Sequence, residues 1–215
     1  PWFRDSLRAR APGIVVIPNP LSPSAGCDGP AAPETGAPYV LGVGRLEDQK
    51  GFDLLIDAFA TLLPTTPRCE LWIAGRGSRR AALERRATDL GIGNRVRFLG
   101  EVGDTTGLMR GSLVFVLPSR FEGFPNALLE AMASGAPCIA ADCPSGPREL
   151  LGADEGGLLV PVGDVERLTQ AMRQVLLDRE LAGRPPAGGG PHPQCLCHAR
   201  GRGPPGNRRP QGGGG

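Results

Sequence analysis

Two glutamates, Glu122 and Glu130, lie on either side of a segment that is typical of the start of a helix. Pro125 is favoured in the first turn of a helix, where the backbone amides of Gly123–Ala127 would have no partner within the helix. Carboxylates accept hydrogen bonds from sugar hydroxyls, and free amides at a helix start bind phosphate. The pattern predicts a site for a ligand that carries hydroxyls on both sides of a phosphate. In the alternative, Glu122 caps the helix and Glu130 lies on its solvated face, which is less favoured because apolar residues flank Glu130.

Two cations follow the first regular strand-like segment. Gly42–Gly44 would let the backbone turn tightly and approach a ligand closely, and Arg45 and Lys50 come next. Cations beside a helix N-terminus form a receptacle for a diphosphate. In the alternative, both side chains only pair with Glu47 and Asp48 at the surface, as is common. Lys50 favours the first interpretation, because it is the only lysine among 24 basic residues and arginine would serve for an ordinary surface pair.

The remaining glycine and metal-ligand patterns are weak. The Gly75–Ser78 turn begins with Gly-x-Gly but, like Gly42–Gly44, lacks the third glycine of a dinucleotide-binding loop, which disfavours a nicotinamide-dependent dehydrogenase. The two histidines and two cysteines of residues 192–198 are too closely spaced for one tetrahedral ion, and no core sequence surrounds them. We therefore expect no metal site.

Strand-like and helix-like segments that alternate from Tyr39 onward have to position these side chains. The strand-like segments are apolar throughout, which is typical of a parallel sheet covered on both faces by helices. The predicted strands are Tyr39–Gly44, Glu70–Gly75, Arg95–Gly100, Ser112–Leu117, Pro137–Ala141 and Gly157–Val160. The predicted helices are Asp53–Leu63, Arg79–Leu90, Asp104–Arg110, Asn126–Ser134 and Val165–Leu177. The body is therefore a doubly wound, Rossmann-like α/β domain, in which ligands bind beyond the carboxyl ends of the strands.

The flanks of this body differ in composition. Residues 22–38 form a connector rich in Pro, Gly and Ser, after a short apolar run, Gly13–Ile17, that is predicted to be a strand. Residues 183–215 hold 11 Gly, 7 Pro and 5 Arg but no Asp, Glu, Val, Ile or Phe. Such a tail cannot bury enough apolar surface to become ordered, and we expect it to be disordered.

Bulk composition excludes several classes of function. The net charge of +2 and the 5% aromatic content disfavour nucleic-acid binding by bulk charge or by base stacking. No apolar run approaches the roughly 18 residues that a membrane helix needs. Cys69 and Cys138 lie in or beside apolar strand-like runs, as buried thiols do, so a reducing cytoplasm fits the chain better than a disulfide scaffold.

The segment from Glu122 to Glu130 matches the E-x7-E motif of retaining glycosyltransferases with the GT-B fold. Its surroundings, EGFPNALLEAMASGAPCIAADCPSGPREL, resemble family 4, the group 1 type. GVGRLEDQKGFDLLIDAF, ELWIAGRG, RVRFLGEV and GLLVPVGDVERL occur in the order that this family uses, and the resemblance covers residues 13–180. IPNPL and PSGPREL are most similar to bacterial members that add a hexose or an N-acetylhexosamine to lipid-linked glycans or polysaccharides.

The resemblance implies a nucleotide-sugar donor, UDP- or GDP-linked, that is bound without a metal or other cofactor. Arg45, Lys50 and Glu122 would be the catalytic groups, since the two cations neutralise the diphosphate and Glu122 contacts the transferred sugar. Glu130 would bind the ribose hydroxyls. Further residues would line the donor site, with Arg97 and Phe98 at the nucleobase. They are Gly44, Arg97, Phe98, Gly123, Phe124, Asn126 and Ala127.

In the GT-B fold an N-terminal half holds the acceptor, and the reaction takes place between the two halves. The resemblance implies that residues 1–38 are the end of an interdomain segment and a linker, residues 39–182 the donor-binding domain, and residues 183–215 a tail. We therefore expect the donor-binding half of a hexosyltransferase whose glycan or lipid-linked acceptor is held by the missing half. The chain itself should bind a nucleoside diphosphate weakly and transfer no sugar.

The full enzyme is expected in the cytoplasm, with peripheral association at the inner face of the membrane. Two alternatives stay open. One is a non-catalytic nucleotide-binding module that works with a separate chain. The other is a sugar-nucleotide epimerase, against which the E-x7-E context and the GRLEDQKG segment both argue.

Overall fold

Six parallel strands form one sheet in the order β3-β2-β1-β4-β5-β6. The computed structural model describes residues 36–152 and 157–181. The strands are β1 (Tyr39–Val43), β2 (Glu70–Ala74), β3 (Val96–Gly100), β4 (Val114–Leu117), β5 (Cys138–Ala141) and β6 (Leu158–Val160). The helices are α1 (Phe52–Leu62), α2 (Arg80–Asp89), α3 (Thr106–Gly111), α4 (Asn126–Ala133), α5 (Pro147–Leu151) and α6 (Val165–Leu181). The strand order reverses between β1 and β4, which places the switch point of a doubly wound sheet there.

The apolar strands are buried because helices cover both faces of the sheet. Every residue of β2, β4 and β5 is buried. Two hydrophobic clusters result, one around Leu55, Phe59 and Ile73, and the other around Trp72 and Phe115. Trp72 stacks on Tyr39 with ring centroids 3.8 Å apart, and the Tyr39 hydroxyl donates to the carbonyl of Leu108 at 2.7 Å.

The predicted doubly wound α/β fold is confirmed. Each strand and helix predicted between residues 39 and 177 is present, with ends that differ by at most two residues except that α6 continues to Leu181. The helix Pro147–Leu151 was not predicted, because five residues are too few to show a helical period. The strand predicted at residues 13–17, the linker and the tail lie outside the described residues. Among the helices described, none is long and apolar enough to cross a membrane.

Candidate anion site at the switch point of the sheet

Two loops meet at the switch point, because β1 and β4 are neighbours in the sheet. Leu41 of β1 pairs with Phe115 of β4, so the segments that follow, residues 44–51 and 118–125, leave the carboxyl edge side by side. We call them the β1 loop and the β4 loop. The crevice outside the carboxyl ends of strands at a switch point is where such sheets bind ligands.

Lys50 of the β1 loop contacts Glu122 of the β4 loop. Lys50 Nζ lies 2.6 Å from Glu122 Oε1, and Ser119 Oγ donates to the same oxygen at 2.6 Å. The side chain of Glu122 is 3% exposed and that of Lys50 is 15% exposed. The pair is therefore shielded from water on most sides, while the ammonium keeps two N–H donors for a ligand.

The structure corrects the surface-pair alternative for Lys50. Lys50 pairs with Glu122 of the neighbouring β4 loop and not with Glu47 or Asp48 of its own loop. Glu47 accepts hydrogen bonds from the amide and hydroxyl of Ser78, and Asp48 pairs with Arg79. Lys50 ends a short 3-10 turn, Asp48–Lys50, and lies just before α1, from which Gly51 with a φ of 65° separates it.

Arg45 lies exposed at the mouth of the β1 loop. Its guanidinium makes a long hydrogen bond of 3.4 Å to the side-chain oxygen of Gln49, and, in addition to hydrogen bonding, its charge helps to lower the pKa of Glu47. Gly44 lies against the aliphatic stem of Lys50. The Gly44 amide donates a hydrogen bond to the carbonyl of Ala74 at 3.0 Å. Arg45 and Lys50 therefore follow β1 on the same loop, one open to solvent and the other held by a carboxylate.

The Gly75–Ser78 turn packs against the β1 loop and holds it in place. A Cβ atom on Gly75 would overlap the carbonyl of Gly44, and one on Gly77 would overlap that of Leu46. Backbone hydrogen bonds from Leu46 to Arg76 and from Arg79 to Leu46 join the two segments at 2.9 Å each. The two glycines thus permit a close backbone approach between the turn and the β1 loop. This packing is a structural reason for the Gly-x-Gly pattern that does not require a dinucleotide.

The helix that follows the β4 loop begins at Asn126, and Glu122 does not cap it. Pro125 precedes the first helical residue, and no side chain accepts from the first turn of α4. The expectation of free amides from Gly123 to Ala127 needs correction, because the Asn126 amide donates to the carbonyl of Phe124 at 3.0 Å and Pro125 has no N–H. Among the described residues, the amides of Gly123, Phe124 and Ala127 donate to no backbone carbonyl.

Glu130 lies on the exposed side of α4, although apolar residues flank it in the sequence. Leu128 and Ala131 are buried, while Glu130 is exposed, because side chains next to each other on a helix point in different directions. Burial of part of the carboxylate raises the pKa of Glu130, and the nearby carboxylate of Asp104 raises it further. Glu130 therefore faces solvent beside the loop that follows β3.

Arg97 and Phe98 lie inside β3, and the structure does not bring them together with Lys50. Arg97 makes a two-pronged ion pair with Glu70 at 2.7 and 3.1 Å, and Glu70 is the first residue of β2, at the amino edge of the sheet. Arg80 lies over the Phe98 ring at 5.9 Å and reaches its carbonyl at 3.4 Å. Their assignment to the nucleobase stays a prediction.

Four residues at the two loops were missed by the sequence analysis. Ser119 is fully buried beneath Glu122, and Cys143 follows β5. Burial raises the pKa of the Cys143 thiol to about 11, and the Glu122 carboxylate contributes, which places the thiol near that group. Gln49 and Arg120 join the loops by hydrogen bonds. The rule that directs attention to residues after each strand would have found Ser119 and Cys143, but no sequence pattern marks Gln49 or Arg120.

No group of three or more His, Cys, Asp and Glu side chains in residues 36–152 and 157–181 could hold a metal ion. The histidines and cysteines of residues 192–198 lie outside the part of the chain that the structure describes.

A six-stranded parallel sheet in this order defines a Rossmann-like domain, and the cations and helix start at its switch point make that crevice a candidate anion site. The family model for glycosyl transferases group 1 matches residues 30–186, and the chain belongs to that family. The lipopolysaccharide core biosynthesis glycosyltransferase LpsE of Rhizobium meliloti is 38% identical over 148 residues, which cover 69% of this chain and 42% of LpsE.

Solved structures agree with this assignment. The lipopolysaccharide outer core galactosyltransferase WaaB superposes with a TM-score of 0.61 at 31% identity, over 70% of this chain and 43% of WaaB. HepE of Anabaena in complex with UDP superposes with a TM-score of 0.61 at 29% identity, over 67% of this chain and 40% of HepE. The C-terminal domain of LpcC from Francisella tularensis superposes with a TM-score of 0.59 at 26% identity, over 67% of this chain and 80% of that domain. The chain thus spans less than half the length of LpsE, WaaB and HepE.

Proposed function

We propose that residues 39–182 are the donor-binding domain of a retaining hexosyltransferase of family 4, which uses a UDP- or GDP-linked sugar. The observation that carries the proposal is the Lys50–Glu122 pair beside the start of α4 at the switch point of the sheet. Similarity to a C-terminal domain of a group 1 protein and to HepE, which binds UDP, supports it. The charges present suit the diphosphate of such a donor, because two cations and a helix start lie at one edge.

The donor would lie across the crevice with its diphosphate between the β1 loop and the start of α4. Arg45 and the two remaining N–H donors of Lys50 would bind the phosphate oxygens, together with the amides of Gly123, Phe124 and Ala127. Glu122 Oε1 is occupied by Lys50 and Ser119, but Oε2 accepts from no described residue and is available to a hydroxyl of the transferred sugar. Glu130, exposed on the side of α4, would accept from the ribose hydroxyls.

The chemistry of this arrangement is leaving-group stabilisation. Negative charge grows on the nucleoside diphosphate as the bond to the sugar breaks, and cations fixed in a partly buried site stabilise it without reorganisation. We propose that Arg45, Lys50 and the helix start supply this stabilisation without a metal. Retention of configuration would follow from attack on the face that the phosphate leaves, with no glutamate nucleophile, so Glu122 positions the sugar instead of forming a covalent bond to it.

We further propose that a second, N-terminal half supplies the acceptor site for a lipid-linked or polysaccharide glycan, and that the full enzyme works in the cytoplasm, at the inner face of the membrane. The names of LpsE and WaaB, which refer to lipopolysaccharide core synthesis, support a glycan acceptor. The isolated chain is then expected to bind the donor and to transfer nothing.

The test is calorimetric titration of the full chain with UDP, GDP and ADP. Lys50→Ala should weaken binding of the preferred nucleotide about tenfold or more, because charge-assisted hydrogen bonds are each worth about 1.5–3 kcal/mol. Glu130→Ala should also weaken binding of that nucleotide, because it removes hydrogen bonds to the ribose hydroxyls. Arg86→Ala is the charge control, since Arg86 pairs with Asp57 between α1 and α2.

Unchanged affinity for every nucleotide in both variants would show that the site is elsewhere. Transfer of sugar to any acceptor by the isolated chain would contradict the proposed division of labour between two halves.

A further inference from the structure

The turn that carries Lys50 is not held by core packing. None of the three residues in Asp48–Lys50 is buried, and the turn spans a single 3-10 repeat. Asp48 of this turn forms an ion pair with Arg79, the residue before α2. Both partners are exposed, and exposed pairs contribute little to stability. The Gly75–Ser78 turn holds the start of the β1 loop, so the hydrogen bonds to the β4 loop are what fix the three residues Asp48–Lys50 themselves.

Arg120 makes two of these hydrogen bonds. Its amide donates to the carbonyl of Gln49 at 2.8 Å, and its side-chain Nη1 donates to the carbonyl of Asp48 at 2.7 Å. Gln49 returns a bond from its side-chain nitrogen to the carbonyl of Phe121 at 3.0 Å. Arg120 and Phe121 are the two residues that precede Glu122, so these bonds fix the turn in register with the carboxylate that contacts Lys50.

Arg120 is itself anchored to the helix on the other side of Gly51. Its two terminal nitrogens bind both oxygens of Asp53, in the first turn of α1, at 2.9 and 2.7 Å. Burial raises the pKa of the Asp53 carboxyl, but the hydrogen bond and charge of Arg120, together with backbone amides, lower it below its usual value. One planar guanidinium thus joins the turn before Gly51 and the helix after it to the β4 loop, a geometry that an ammonium could not reproduce.

We propose that Arg120 is a positioning residue: it locks the Asp48–Lys50 turn against the β4 loop, so that Lys50 stays beside Glu122 and presents its ammonium to the diphosphate of the donor. The role of Lys50 in this statement rests on the proposed function. The guanidinium is directed at the Asp48 carbonyl and the Asp53 carboxylate, so Arg120 acts through Lys50 and does not need to touch the ligand.

A double-mutant cycle with UDP as the probe tests whether Arg120 acts through Lys50. Arg120→Met should weaken UDP binding by the full chain about tenfold, and Lys50→Met by at least as much. The double variant should bind no more weakly than Lys50→Met alone, because the effect of Arg120 passes through Lys50. A loss in the double variant equal to the product of the two single losses would overturn the proposal.

A readout without ligand is available because Lys50 is the only lysine of the chain. Biosynthetic ¹³C-lysine labelling gives a single lysine side-chain signal that reports the contact with Glu122. In Arg120→Met the signal should move in the same direction as in Glu122→Gln, while Arg86→Met, which removes a comparable arginine–aspartate pair with Asp57, should leave it in place. An unmoved signal in folded Arg120→Met would also overturn the proposal.

Arg120→Lys covers the case in which Arg120→Met does not fold. It keeps the charge but loses the fork, so UDP binding should weaken part of the way, and wild-type affinity would contradict the role. The lysine signal is then measured in Arg120→Gln, which adds no second lysine and should move it in the same direction as Arg120→Met. If the wild-type chain binds neither UDP nor GDP while the lysine signal responds as stated, the proposed function fails and the positioning role of Arg120 stands.

Discussion

Lys50 is distinguished from the arginines of this chain by its surroundings. Several described arginines pair at the surface, as Arg76 does with Glu101, whereas the Lys50 ammonium reaches a carboxylate whose side chain is 3% exposed. An ammonium is a compact point charge, so it differs from the planar guanidinium of the arginines in both shape and hydrogen-bonding geometry.

Because Lys50 is the only lysine of the chain, acylation can follow this site directly. We expect a saturating concentration of UDP to slow acylation of Lys50 several-fold, since bound phosphate oxygens would occupy its N–H donors. Mass spectrometry of the Lys50 peptide measures the rate, and a short lysine-containing peptide added to the same sample is the control. Equal rates with and without UDP and GDP would contradict a diphosphate contact at Lys50.

Ser119 should contribute to stability through its bond to Glu122. Its hydroxyl is fully buried and donates to Oε1 at 2.6 Å, so Ser119→Ala removes a partner from a buried carboxylate. We expect a loss of about 1–3 kcal/mol in the free energy of unfolding, measured by urea denaturation. Ser134→Ala is the matched control, because the exposed Ser134 hydroxyl bonds only the carbonyl of Glu130 and its loss should cost under about 0.5 kcal/mol. Equal losses in both variants would contradict the importance of the buried bond.

At the scale of the elements, glycines allow three segments to meet at the carboxyl edge. Gly75 admits the carbonyl of Gly44, and Gly51 admits that of Pro118. The β1 loop is thereby held between the turn after β2 and the β4 loop. These close approaches fix where the β1 loop lies relative to the turn after β2 and to the β4 loop.

Gly51→Ala tests that contact. Gly51 has a φ of 65°, and a Cβ there would overlap the Pro118 carbonyl, while Gly91 has a similar φ of 72° with open space around it. Gly91→Ala should cost only the conformational penalty of about 1–2 kcal/mol. Gly51→Ala should cost clearly more and should also weaken UDP binding, because Lys50 and Pro118 would move apart. Thermal unfolding and titration measure both effects, and equal cost in the two variants would contradict the close approach.

At the scale of the whole molecule, burying the sheet on both faces also buries weak acids that the site does not use. Burial raises the pKa of the Tyr39 phenol and of the Cys138 thiol to about 12 each, from ordinary values of 10 and 9. These groups keep their protons in the folded chain at a pH at which the unfolded chain loses them. Unfolding therefore releases protons at alkaline pH. The contribution of these groups to the free energy of unfolding is fully present below pH 9 and is lost as the pH rises toward 12.

We therefore expect the urea midpoint of the reduced chain to fall between pH 8 and pH 10.5. Each such group lowers the free energy of unfolding by at most about 1.4 kcal/mol per pH unit in this range. Cys138→Ala removes one of these groups, so its loss of stability over the same range should be smaller than that of the wild type. The same midpoint at pH 8 and pH 10.5 would contradict the raised pKa values.

The periodicity of the sequence predicted the sheet and its main helices, because strands buried on both faces must be apolar throughout and their covering helices amphipathic. It placed Lys50 and Glu122 after β1 and β4, but it could not show that they contact each other, since they are 72 residues apart. Glu130 was expected to be enclosed by its apolar neighbours, yet those neighbours turn inward and leave it exposed. Arg120 resembled any other arginine in this chain until its partners were known.

The sequence by itself determined the fold class, the edge of the sheet that carries the site and the family, since apolar runs, helix starts and the E-x7-E motif are local patterns. Only the tertiary structure decided which charges are paired: Lys50 with Glu122, Asp48 with Arg79, and Arg120 with Asp53. The physical reason is that strand order governs these contacts. Placing β4 beside β1 brings the two loops together, and hydrogen bonds across that junction depend on distances that no spacing along the chain encodes.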